Sequence, residues 1–155
     1  MLEPLDTITL RELTIRYEPR RDCADLPTGL GSRLENAEAA GTLFRRILRD
    51  EPNEVAGMLC LDARNRVIAY HEISRGALDA TLMNPRDVFK VALLANAAAI
   101  VVAHNHPSGD PTPSAEDCRL TARLVAGGKL IGISVIDHLI IGEARNYGFA
   151  QAGLL

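Results

Sequence analysis

The spacing of hydrophobic residues predicts a helix near the start of the chain. Between Leu34 and Asp50, apolar residues recur every three or four positions, as on one face of an amphipathic helix. Pro52 marks its end, because proline lacks the backbone N–H that would continue a helix. Upstream, residues 1–33 hold several prolines and glycines and an alternating stretch, Thr7–Ile15, that predicts a strand. We therefore divide the chain into an N-terminal extension, residues 1–33, and one domain, residues 34–155.

The rest of the chain alternates between short apolar runs, which predict strands, and helical patterns. The predicted strands cover 55–61, 66–73, 99–103, 130–141 and 147–149. One helix begins at Asn84-Pro85, and another runs from Ser114 to Gly127-Gly128. Because strands and helices interleave, the predicted fold class is α/β or mixed α+β, with a mostly antiparallel or mixed central sheet flanked by helices.

Composition narrows the classes of function. The chain has 155 residues, of which 47% are hydrophobic. Its net charge is −3 and it has two lysines, so we do not expect electrostatic binding to the DNA backbone over a large surface. The longest apolar stretch, Val91–Ala103, is too short to span a bilayer. The cysteines form no Cys-x-x-Cys pair, which is typical of a reducing cytoplasm, and Cys118 is interpreted as a small buried residue rather than a ligand. We expect a cytoplasmic protein.

Candidate chemistry is concentrated where a buried strand meets a proline-rich loop. His104 and His106 are two positions apart, so in extended backbone both imidazoles face the same point. Asp117 falls in the first turn of the next helix, where the helix dipole favours the ionised carboxylate. Two histidines and one carboxylate, with a fourth position left to water, are typical of catalytic zinc. Alternatively, Ser114 and Asp117 form a capping box that needs no metal.

The same residues resemble the signature of the JAMM (MPN-plus) metalloprotease family. That signature is a distant Glu followed by His-x-His, seven residues, Ser, two residues and Asp, and residues 104–117 match it without a gap. The His-Asn-His-Pro-Ser-Gly version, with Asp137-His138 downstream, is similar to RadC-like proteins from about residue 35 onward. The resemblance implies a JAMM, cytidine-deaminase-like fold and a zinc-dependent hydrolase of peptide or isopeptide bonds.

The resemblance also implies roles for further residues. Among the acids Glu54, Glu72, Asp79 and Asp87, sequence chemistry alone does not decide, but Glu72 matches the family position of the general base. The resemblance implies that Ser114 hydrogen-bonds the developing oxyanion. A Ser114 hydroxyl used entirely for the helix cap could not also make that bond.

Two more polar residues accompany this motif. Asn105 is predicted to point away from the histidines and hold a loop. His138 is interpreted as making a structural hydrogen bond, with support of a metal ligand as the alternative.

Other functions remain open at this point. One alternative is a metal-dependent nuclease or DNA-processing factor, in DNA repair or in a mobile element. Full-length RadC proteins carry a helix-hairpin-helix region that residues 1–33 are too short to supply, so the chain resembles the short versions of mobile elements. A second alternative is a partner-binding module with structural metal, although structural zinc is usually closed by four protein ligands. The expected partner is a protein or peptide substrate, with DNA binding not expected.

Overall fold

A computed structural model describes residues 16, 18, 31–48, 51–76 and 83–155. The predicted strand Thr7–Ile15 lies outside these residues. The described elements, in chain order, are α1 (Ala37–Leu48), β1 (Val55–Leu61), β2 (Val67–Arg75), α2 (Pro85–Leu94), β3 (Ala99–Asn105), α3 (Ala115–Ile131), β4 (Ser134–Ile141) and β5 (Asn146–Gly148).

The strands form one mixed sheet in the order β2-β1-β3-β4-β5. β1 pairs antiparallel with β2 and with β3, β3 pairs parallel with β4, and β4 pairs antiparallel with β5. The crossover between the parallel strands β3 and β4 contains α3, as parallel pairing requires a long connection. The predicted mixed sheet flanked by helices is confirmed.

Each face of the sheet is covered by helices, so the central strands are apolar on both sides. Every residue of β1 and of β3 is buried, which explains why both read as continuous apolar runs. On one face, α2 and α3 pack against a core that includes Met58, Ile100 and Val102. On the other face, α1 packs against a core that includes Leu59 and Val101.

Several predicted boundaries are confirmed by the structure. β1 has the predicted bounds, and the turn before β2 is closed by the bond from Asn65 N to Asp62 O. Asn84 caps α2 through its side chain, which accepts from Arg86 N, and Pro85 occupies the first turn. The local chemistry of these turns and caps is strong enough to specify them without tertiary contacts.

The predicted end of α3 at Gly127-Gly128 is wrong. The helix continues to Ile131 and ends at Gly132, whose φ of 82° is left-handed. Gly128 is needed for close packing instead, because an added Cβ would lie 2.4 Å from the carbonyl oxygen of Ile133. Ile133 is held this close to Gly128 by the hydrogen bonds that end the helix, because Gly128 O accepts from both Gly132 N and Ile133 N.

Within the described residues, none of the helices combines the length and the apolarity needed to cross a bilayer.

Gly128→Ala should lower the free energy of unfolding by about 1–3 kcal/mol, because the new methyl group meets a backbone carbonyl that cannot move without breaking the helix end. Gly41→Ala is the matched control, since its Cβ would meet the end of the Asn146 side chain, which can shift. Urea denaturation of both variants checks this. Equal stability of Gly128→Ala and the wild type would contradict the packing role.

Candidate metal centre

The predicted ligands gather at the end of β3. His104 lies within β3, is 1% exposed, and is paired with Ala56 of β1 and Ile140 of β4. His106 follows the strand, and its backbone N–H donates to Ile141 O, which keeps the chain extended through this point. The extended backbone turns both imidazoles to one side, as the sequence predicted.

The two imidazoles and Asp117 converge on one point. His104 Nε2 lies 3.1 Å from His106 Nε2 and 3.3 Å from Asp117 Oδ1. Asp117 Oδ2 lies 3.8 Å from His106 Nε2. The structure therefore brings the three predicted metal ligands together, with Asp117 contributed by the first turn of α3.

Asp117 is oriented by Ser114 through a complete capping box. The backbone N–H and the hydroxyl of Ser114 donate to Asp117 Oδ2, at 2.7 and 2.6 Å, while Ser114 Oγ accepts from Asp117 N at 3.1 Å. Both donors act on Oδ2, which leaves Oδ1 directed at His104.

The capping box also bears on the predicted oxyanion role of Ser114. A hydroxyl has one proton, and here that proton is donated to Asp117 Oδ2. Stabilising an oxyanion would require Ser114 to exchange this bond, so that role stays a prediction while the cap is observed.

Glu72 is not beside the histidines, and its assignment as the base is corrected. It pairs across the sheet with Gly57, which in turn pairs with Ala103, so Glu72 faces the α1 side, opposite to His104. Its carboxylate accepts from Arg75 at 2.9 and 2.7 Å, and Arg75 also pairs with Glu51. Glu72 thus belongs to an ion-pair cluster at the end of β2.

Glu54 is the carboxylate that lies at the predicted ligands. Its Oε1 is 3.9 Å from His104 Nε2, and ligand atoms of Glu54, His104 and His106 all lie within 4.8 Å of one another, a group that could hold a metal ion. Because β1 runs antiparallel to β3, the residue preceding β1 lies beside the end of β3. That pairing was the missing signal, since Glu54 directly precedes a correctly predicted strand.

Asn105 holds the segment that carries Glu54, which confirms the predicted loop-holding role. Its Oδ1 accepts from Val55 N at 2.7 Å, and its Nδ2 donates to the carbonyls of Glu51 and Asn53 at 3.3 and 3.0 Å. The residue between the histidines therefore fixes the chain on both sides of Glu54.

The contacts of the His106 ring show which of its two nitrogens carries a proton. Its Nδ1 lies 2.7 Å from the backbone carbonyl oxygen of Asp110. A carbonyl only accepts hydrogen bonds, so Nδ1 carries the proton and, in the neutral ring, Nε2 presents a lone pair to the site. Asp110 is held by Thr112, whose hydroxyl and backbone N–H both donate to its Oδ1, so the proline-rich loop presents a fixed acceptor.

His138 is in direct contact with a predicted ligand, so interpreting it as purely structural is incomplete. His138 Nε2 lies 3.0 Å from His104 Nδ1, and its Nδ1 lies 2.7 Å from Thr121 Oγ1. Burial, together with the nearby His104, lowers the pKa of His138 to about 3, which keeps the ring neutral. The helical spacing of Thr121 from Asp117 is the sequence signal that could have linked Thr121 to the site.

The other candidate residues lie elsewhere. Asp87 is on the exposed part of α2, 3.2 Å from Lys90, and Asp79 lies outside the described residues. Cys118 is exposed, not buried as predicted, whereas Cys60 is buried in the core.

Beside His106 an open cleft of about 700 Å³ extends toward α1. It is lined by Arg45, Leu48, Glu51, Asn105, His106, Pro107, Gly109, Ile141, Gly142 and Glu143.

Comparison with known proteins is consistent with this site. The family described as "RadC-like JAB domain" matches residues 34–154. A UPF0758 protein of Methanosarcina barkeri is 44% identical over 114 residues, covering 74% of this chain and 50% of that protein. A UPF0758 protein of Moorella thermoacetica is 44% identical over 141 residues, covering 81% of this chain and 59% of the relative. This chain thus spans about half the length of the curated relatives it matches.

Asn105→Ala should lower the free energy of unfolding by about 1–3 kcal/mol, because it leaves the buried Val55 N–H without its acceptor. Asn53→Ala is the control, since it removes an exposed amide but keeps the carbonyl that Asn105 uses. Chemical denaturation checks the pair. A loss in Asn105→Ala no larger than in the control would show that the clamp is not stabilising.

Proposed function

This chain belongs to the RadC-like JAB domain family, and from that premise we propose a zinc-dependent hydrolase of amide bonds, with His104, His106 and Asp117 as metal ligands. The observation that carries the proposal is the convergence of two imidazole nitrogens and a carboxylate within 3.1 to 3.8 Å of one another. Within the described residues, neither Glu54 nor Asp117 is ion-paired with a lysine or arginine. A cation is the natural partner for such a cluster.

The donor set fits zinc. Imidazole nitrogen and carboxylate oxygen are both good zinc ligands, and three protein ligands leave one coordination position for water or substrate. Two of the three donors are already oriented by an outer contact: His106 by the Asp110 carbonyl, and Asp117 by Ser114. Such outer partners are a general property of protein metal sites.

The roles of this chain's own residues follow from their positions. When bound, zinc supplies Lewis acidity, which polarises a carbonyl and makes water a better nucleophile near neutral pH. Glu54 is within reach of the same point and is only partly exposed, with 35% of its side chain accessible. We assign it the general-base role, in which its carboxylate takes a proton from water and delivers it to the leaving amine.

The cleft beside His106 supports a protein or peptide substrate. It is open, it contains apolar side chains such as Leu48 and Ile141, and both charge signs are present through Arg45 and Glu143. A mixed lining of this kind suits a polypeptide segment with varied side chains better than a uniformly anionic chain.

DNA is a poorer fit to this surface. Arg45 and Arg46 lie on α1, whereas Arg64 and Arg66 lie in the β1–β2 turn, so these four arginines are divided between two parts of the domain. The turn lies at the far end of β1 from Glu54, about 20 Å away for a strand of this length. Arg66 is also paired with Asp62 at 2.7 Å. We therefore infer weak DNA binding and no nuclease activity.

The metal is tested first. Purified protein should bind about one zinc ion per chain, and His106→Ala or Asp117→Ala should lose most of it, because each removes a ligand from a site with three. Elemental analysis after dialysis measures the content, and Asp87→Ala is a matched carboxylate control on α2. Equal zinc in the wild type and a His106→Ala, Asp117→Ala double variant would refute the site.

The base is tested by paired amide substitutions. Glu54→Gln should retain zinc and lose at least about 100-fold in hydrolysis of a quenched-fluorescence peptide library, because a proton acceptor is removed and a ligand is not. Glu72→Gln should keep activity within a few-fold. If Glu54→Gln is as active as the wild type and Glu72→Gln is not, the correction from Glu72 to Glu54 is wrong. Zinc-dependent nicking of plasmid DNA, lost in His106→Ala, would favour the nuclease alternative.

A further inference from the structure

A buried series of hydrogen bonds runs from α3 to His104. Thr121 Oγ1 donates to the backbone carbonyl of Asp117 at 2.7 Å and contacts His138 Nδ1 at 2.7 Å, while His138 Nε2 lies 3.0 Å from His104 Nδ1. Thr121, His138 and His104 are at most 1% exposed. No solvent is needed to complete the series, since each polar atom in it has a protein partner.

The direction of each bond follows from what the groups can donate. The Asp117 carbonyl only accepts, so the single hydroxyl proton of Thr121 is used there, and Thr121 must accept from His138 Nδ1–H. A neutral imidazole carries one N–H, so His138 Nε2 accepts, and the proton between the rings belongs to His104 Nδ1. His104 Nε2 is then left with a lone pair facing His106 and Asp117.

We infer that Thr121 and His138 are positioning residues that set the tautomer of His104, so that its Nε2 is the nitrogen offered to a metal. The inference rests on the proposed function only in naming the metal as the recipient. It explains how His104 acquires the tautomer that His106 obtains from a backbone carbonyl. His104 is within the sheet, where its backbone neighbours are engaged in β pairing, so a side-chain acceptor replaces the carbonyl.

The surroundings of His138 hold its ring in place. Phe149 stacks on it, with ring centroids 4.9 Å apart and planes inclined by 8°. Phe149 lies in the turn after β5, which is tied to β4 because Asp137 Oδ1 accepts from Ala150 N at 2.9 Å as well as from His138 N at 2.8 Å. The C-terminal turn therefore restricts rotation of the His138 ring, and through it the ring of His104.

The test compares Thr121→Val with Thr121→Ser. Valine keeps the shape but removes the acceptor, so His138 should move its proton to Nε2 and donate to His104 Nδ1, which transfers the His104 proton to the metal-facing Nε2. In metal-free protein, imidazole ¹⁵N NMR should show His104 protonated at Nδ1 in the wild type and in Thr121→Ser, but at Nε2 in Thr121→Val.

Zinc affinity is the second readout, measured by competition with a chelator. Thr121→Val should bind zinc about 10–100-fold more weakly than the wild type, as removal of outer partners does elsewhere, and Thr121→Ser should be close to the wild type. Thr42→Val, on the exposed part of α1, is the control for hydroxyl loss and should match the wild type.

The outcomes separate this inference from the proposed function. A wild-type His104 protonated at Nε2, or an unchanged tautomer and zinc affinity in Thr121→Val, overturns the inference; the wild-type spectrum decides it even if Thr121→Val does not fold. A tautomer change in a protein that binds no zinc supports the positioning role and refutes the zinc site.

Discussion

The pairing of β3 with β1 on one side and β4 on the other is the constraint on which the candidate site depends. Antiparallel pairing with β1 places Glu54 at the end of β3. Parallel pairing with β4 places His138 opposite Val102, and Val102 lies two positions before His104 on β3. The following loop then returns the chain so that α3 presents Asp117 from the same side. Loss of register by one residue would turn His104 to the opposite face, since side chains alternate along a strand.

A second layer of polar groups makes this arrangement chemically specific. Ser114 hydrogen-bonds Asp117 Oδ2, and the Asp110 carbonyl accepts from His106 Nδ1. His138 Nε2 forms the corresponding hydrogen bond with His104 Nδ1. On each histidine the outer partner contacts the ring nitrogen that faces away from the convergence point, and on Asp117 Ser114 contacts Oδ2, which leaves Oδ1 facing His104. The lone pairs that remain are directed inward, at distances where they would repel one another without a proton or a cation between them. The site is thus organised for binding before any ligand arrives.

Much of the fold could be predicted from the sequence because its signals are local. The cap at Asn84, the turn at residues 62–65 and the apolar run of β3 depend on neighbouring residues alone. Gly127-Gly128 misled the prediction because glycine at a helix end and glycine at a close packing contact look the same in sequence. At Gly127 the packing role depends on Phe89 of α2, which only the folded chain brings near.

The same distinction applies to the site. The strand period places His104 and His106 on one face, and the helix start identifies Asp117, so local patterns point to these three residues. The choice between Glu54 and Glu72 depends on which strand neighbours β3, a long-range property of the sheet that the sequence pattern does not show. Helical spacing relates Thr121 to Asp117, but the contacts of Thr121 with His138 and of His138 with His104 depend on the packing of α3 against β4, which spacing does not show.

X-ray absorption at the zinc edge of the zinc-loaded protein identifies the ligand atoms, and with them the proposed metal site. We expect four light-atom ligands, two of them imidazole nitrogens at about 2.0–2.1 Å, with the imidazole signal reduced in His106→Ala. A sulfur ligand at about 2.3 Å, as Cys118 would supply, or a shell of six oxygens without imidazole, would contradict it.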